Sequence, residues 1–181
     1  MVKNKLILMV VAVLLIAVIV SIFPYSQKID IQESTSIYKI NDPEYNQPVM
    51  LSIDGRMNHY LFKPNRFVGQ ISVDTINFTA LIMIDPFFYS GSATLEYVEN
   101  EGEEYKFYTL GSLVVDRDFD QILITVNHNA VHGIHIESTW TFEEGYFISL
   151  PSEDRKSAFE NMKEVSIYSE WLSKANWDEM Y

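Results

Sequence analysis

From Leu6 to Phe23 the chain runs for 18 residues with Ser21 as its only polar member, and Pro24 ends the run. As a helix rising 1.5 Å per residue this segment covers about 27 Å, close to the roughly 30 Å hydrocarbon core of a bilayer. A helix on the surface of a soluble core would carry a polar face, and this one has none. Residues 6–23 are therefore expected to form a transmembrane anchor. A cleaved signal peptide is the rival reading, since it too combines a basic start with an apolar run. Its cleavage site is poor: Ser21 is preceded two positions earlier by Ile19, and Ser26 by Pro24, so the paired small residues are missing.

Lys3 and Lys5 precede the run, whereas Lys28 follows it beside Asp30 and Glu33. The positive-inside rule then keeps residues 1–5 in the cytoplasm and places everything after the span outside, as a single-pass membrane protein. All 25 acidic residues but only 11 of the 13 basic ones lie beyond the span, which leaves the exported part near −14. Such a charge opposes nucleic-acid binding and favours a cationic protein or peptide partner. With no cysteine in the chain, disulfides, zinc-thiolate sites, Fe–S clusters and cysteine nucleophiles are excluded together.

Residues 24–35 are polar without consistent periodicity and read as a stalk, leaving 36–181 as one domain. There the pattern turns to period two. Val49, Leu51 and Ile53 alternate with Met50, Ser52 and Asp54; Phe67, Ile71 and Val73 repeat the pattern, with Gly69 suggesting a bulge. Phe78 to Ile84 is apolar nearly throughout, as in a central strand covered on both faces. Ala93–Val98 and Tyr105–Leu110 flank a polar five-residue link and predict a hairpin, as do Leu113–Val115 and Ile122–Val126 around Asp116 to Asp120. Ile134 to Phe142 and Tyr146 to Leu150 read as further strands. After Pro151, Ser152 is a candidate cap, and Ala158, Met162, Val165, Tyr168, Leu172 and Ala175 form a helical stripe that the β-branched residues near Val165 should interrupt. The expected fold class is α+β: an N-terminal transmembrane helix, then a mainly antiparallel β domain with a C-terminal helix packed on the sheet.

Chemistry is sparse. His128, His132 and His135 crowd into eight residues, and the first two have the spacing of a zinc-protease helix. Asn129 stands where that motif needs its glutamate base, which counts against protease chemistry, while a divalent metal held by the three histidines, with Glu137, stays open. Asp116, Asp118 and Asp120 begin like a calcium loop, but Gln121 and Asn127 occupy the positions that require glycine and glutamate. Ser36-Ile37-Tyr38-Lys39 fits S-x-x-K without its companion elements. Phe87-Phe88-Tyr89 sits where a loop is expected and offers an aromatic interaction surface; folding back over the core is the competing use.

Taken together, these features describe a membrane-anchored, extracytoplasmic, non-catalytic binding module with no cofactor. A structural envelope component is the alternative, and a hydrolase or metal-binding protein using the histidine cluster is the least favoured.

Overall fold

The computed structural model describes residues 5, 9–15, 23–76, 83–84, 87–89, 91–101, 104–132 and 140–175. Among the described residues nine strands form one antiparallel sheet that is nearly barrel-shaped: β1 (Tyr25–Lys39), β2 (Asp42–His59), β3 (Asn65–Val73), β4 (Met83–Ile84), β5 (Phe87–Phe88), β6 (Ser92–Glu101), β7 (Glu104–Val115), β8 (Ile122–Val126) and β9 (Tyr146–Leu150). β1 to β4 pair in sequence order, as do β6 to β9, and β9 returns to β1, giving the order β4-β3-β2-β1-β9-β8-β7-β6, while β5 pairs with β3 beside β4. The two ends of this order approach each other, and the turn from β5 to β6 is pinned by a bridge between Tyr89 and Ser92. A nearly closed antiparallel sheet leaves few edges exposed.

Alternation decides which side chains go inside. Ile37, Leu51, Ile53, Phe67, Leu113 and Ile148 point inward and are completely covered. On β7, β8 and β9 the outward-facing Val114, Leu123 and Phe147 are buried as well, because a second layer covers the outer wall there. Helix α2 (Arg155–Val165) lays Ala158, Phe159, Met162 and Val165 over Val114, Leu123 and Phe147. Full burial of each large apolar side chain contributes about 1.5–3 kcal/mol. Directional bonds fix the layer in place: Asn161 Nδ2 donates to Leu150 O at 2.6 Å and Ser149 Oγ at 2.7 Å, and Arg155 donates to Lys39 O and Ile40 O, both at 2.7 Å.

Several expectations are corrected. The polar segment 24–35, read as a stalk, is most of β1. Ile29 and Ile31 are its sparse inward residues, and they oppose Gly55 and Ile53 of β2, whose ladder supplies the backbone partners that its own sequence does not advertise. Gly69 marks no bulge, since the β2–β3 register runs unbroken from Leu51–Val73 to Asn58–Arg66. Gly69 instead faces Gly55, and the Phe67 ring lies across the pair; a Cβ at Gly55 would sit 2.6 Å from that ring. Asp154, not Ser152, caps α2 by accepting from Ser157 N at 2.8 Å, while Ser152 Oγ donates to Ser149 O.

The helix does stop at Val165, and two 3-10 turns follow, Ser166–Tyr168 and Leu172–Lys174. Of the expected strand Phe78 to Ile84 only Met83–Ile84 is described, pairing with β3 at the end of the strand order. The expected strand from Ile134 lies outside the described residues up to 139, and Trp140 to Phe142 are not strand. Most of the 6–23 segment also lies outside them. Residues 9–15 are helical, and no helix among the described residues is long and apolar enough to cross a membrane.

Candidate functional site

Period two splits the aromatic run. Phe88 points into the barrel, where it is 5% exposed and meets Phe119 edge-on at 6.4 Å. It is a core residue and leaves the candidate surface. Phe87 and Tyr89, on the opposite face, remain 49% and 66% exposed. Arg66 lies over the Phe87 ring at 5.5 Å, and Tyr89 is held by reciprocal backbone bonds with Ser92.

These two rings share a shallow groove of about 430 Å³ with Ser92, Thr94 and Glu96 of β6, Ser112 of β7 and Trp171. Trp171 reaches it from the C-terminal segment. Gly91, with φ of 77°, lets that segment approach, because a Cβ there would lie 2.7 Å from Tyr168. Behind Trp171 stand Trp140 at 5.3 Å and then Phe142 at 4.8 Å from Trp140, and the Trp140 indole N–H donates to Tyr146 O at 2.8 Å. The groove therefore presents three rings, four hydroxyls counting that of Tyr89, and one carboxylate. Sequence reasoning missed Trp171 and Glu96, which only the packing of separate strands and the C-terminal turns brings beside Phe87.

His128 and His132 occupy the end of the barrel at which β8 stops. Asn127 donates from Nδ2 to Thr109 O at 2.9 Å and starts the short helix α1 (His128–Val131). This places the His128 and His132 rings 4.6 Å apart. His132 Nε2 lies 3.3 Å from the Tyr146 hydroxyl, and His128 Nδ1 is buried without a hydrogen-bond partner. Burial pushes the Tyr146 hydroxyl above its ordinary value, with Tyr45, Asp42 and Glu144 adding to the shift, so it stays protonated at neutral pH. His135 and Glu137 lie outside the described residues, among which no group of three or more metal-ligating side chains gathers.

At the opposite end, where β1 begins, a groove of about 740 Å³ is lined by Phe23, Tyr25, His59, Leu61, Asn65 and Arg117, among others. His59 Nε2 donates to Gln27 Oε1 at 3.2 Å, and burial together with Arg117 lowers the His59 pKa below 6.5. Asp116 closes the β7–β8 turn by accepting from Gln121 N, an ordinary hairpin use for a residue of the calcium-like triplet. Phe119 in the same turn holds a left-handed φ of 63°, which turns its ring into the core. Comparisons of the chain with protein-family models, curated proteins and solved structures find no match.

Proposed function

We propose that the chain is a single-pass membrane protein whose extracytoplasmic β domain is a non-catalytic interaction module. Its groove at Phe87, Tyr89, Trp171 and Glu96 receives a cationic protein or peptide segment. The observation that carries this reading is the exposure of two rings on either side of a buried Phe88, converging with Trp171 and a carboxylate on one surface. Rings supply desolvated contact area at low entropy cost, and the charge near −14 steers a basic partner inward. The anchor is supported by the composition of 6–23 and by the helical stretch 9–15, every residue of which is exposed.

The test uses the full chain in phosphatidylcholine nanodiscs and a fluorescein-labelled peptide alternating Arg and Leu. Raising salt should mainly slow association, while Tyr89→Ala should speed dissociation and cost about 1–3 kcal/mol of binding. Binding that is indifferent to Tyr89→Ala and Glu96→Gln would refute the groove. A second reading, a divalent transition-metal site, is favoured by the 4.6 Å imidazole pair with its unpartnered His128 Nδ1. Zinc titration of the parent and of His132→Ala separates the two readings.

A further inference from the structure

The end of the barrel where the chain enters carries side chains that water should not want. Leu61 is 63% exposed and Phe62 81%, both in the β2–β3 turn, and Phe23 and Tyr25 beside them are 68% and 72% exposed. The β1–β2 register places the four together: Tyr25 pairs with His59, so the residues after His59 extend beyond the first residue of β1. Leu61 and Phe23 line the same groove. At about 3.3 Å per extended residue, the two steps from Phe23 to Tyr25 span no more than about 7 Å.

If Phe23 is the last residue in the hydrocarbon, no room remains for a spacer, and the turn from Tyr60 to Pro64 lies at the depth of the lipid headgroups. The polar groups at this end suit that position. Lys28, Arg56, Lys63, Arg66 and Arg117, five of the 11 basic residues beyond the span, belong to it; Asp30 pairs with Lys28 at 2.6 Å and Asp118 lines the groove beside Arg117, while Lys63 in the turn itself is the cation nearest Leu61 and Phe62 in the chain. Aromatic rings with flanking Lys and Arg are the side chains that membrane interfaces collect.

We infer that the β2–β3 turn is a second membrane contact: Leu61 and Phe62 insert into the outer interface of the bilayer that holds the anchor, and Lys63 meets lipid phosphates. This inference rests on the anchor reading of residues 6–23. It fixes the orientation of the barrel, with the entry end down and the His128–His132 end facing away from the lipid.

The chain has no cysteine, so single labels can be placed without background. Nitroxides at Phe62→Cys, Val13→Cys and Glu44→Cys in the full chain, reconstituted in phosphatidylcholine–phosphatidylglycerol vesicles, are read by collision with oxygen and with a water-soluble nickel chelate. Phe62 is exposed enough for the label to leave the fold intact. The oxygen-to-nickel ratio should be several-fold higher at 62 than at 44, and high at 13. A ratio at 62 equal to that at 44, with 13 in lipid, overturns the second contact and leaves the anchor standing. A label at 62 shielded from both probes means that protein covers the turn, which overturns the lipid assignment. A label at 13 in water overturns the anchor and this inference with it.

Discussion

Replacing Phe88 by alanine tests the central geometric claim about the aromatic run, that a single step along β5 separates core from surface. Phe88 is 5% exposed and packs on Phe119, which itself touches Phe67 at 6.4 Å. Phe→Ala substitutions at such positions cost about 3–5 kcal/mol, the spread depending on how far the site collapses. β5 has only two residues and lies where the sheet ends approach each other, so the lower figure, about 3 kcal/mol, is expected. For a chain of this size that corresponds to a fall in Tm of roughly 6–12 °C. Phe87→Ala removes a ring already half in water and its contact with Arg66, and should cost about 1 kcal/mol. Urea unfolding of the full chain in nanodiscs, followed by the strand signal in circular dichroism, measures both. A double cycle with Phe119→Ala should return a coupling of about 0.5–1.5 kcal/mol. Equal losses at 87 and 88, or a larger loss at 87, would mean that the alternation is reversed and that Phe88 faces the groove.

Asn161→Ala should lower stability by about 1–3 kcal/mol in the same assay, because it leaves the buried Leu150 carbonyl without the amide that now satisfies it. Gly55→Ala would bring a Cβ to 2.6 Å from the Phe67 ring and 2.7 Å from the Val68 carbonyl oxygen and should cost about 1–3 kcal/mol; an unchanged unfolding midpoint would contradict this close approach of β2 to β3. The Ser157 backbone N–H, with its hydroxyl, holds the Asp154 carboxyl below its ordinary 3.8. That contribution is complete above about pH 3.8 and disappears as pH falls through the lowered folded value. Melting curves should therefore keep the parent above Asp154→Asn at every pH above about 3.8 and bring the two together as pH falls through the lowered folded value, and a difference that does not change with pH would contradict the charged cap.

Strands with strong alternation were legible in the sequence. Val49, Leu51 and Ile53 are buried while Met50 and Asp54 are exposed, as their pattern demands, and both hairpins around β7 form. Where the signal failed, the stabilising partner lay far away in the chain. Residues 25–34 carry too few apolar side chains to mark a strand, and become one because β2 runs alongside them. Gly69 looked like an interruption because the ring that fills its place belongs to Phe67, two residues back on the same face. The run Phe87-Phe88-Tyr89 was visible as chemistry, but which ring pointed outward depended on the register with Asn65 and Arg66. The groove itself could not be read, since Trp171 is brought to it only by the turns after α2.

The unbroken ladder of β1 on β2, from Tyr25–His59 to Tyr38–Asn46, has a mechanical consequence. A pull on Phe23 acts along the axis of β1, so the cross-strand bonds are loaded together in shear instead of opening one by one like a zipper. The weaker direction lies at the other terminus, where tension on the residues after Lys174 would lift the outer layer from the barrel wall, a layer held by side-chain packing and a few polar bonds. A force delivered through the first residues of β1 is therefore met by the longest ladder described in the sheet.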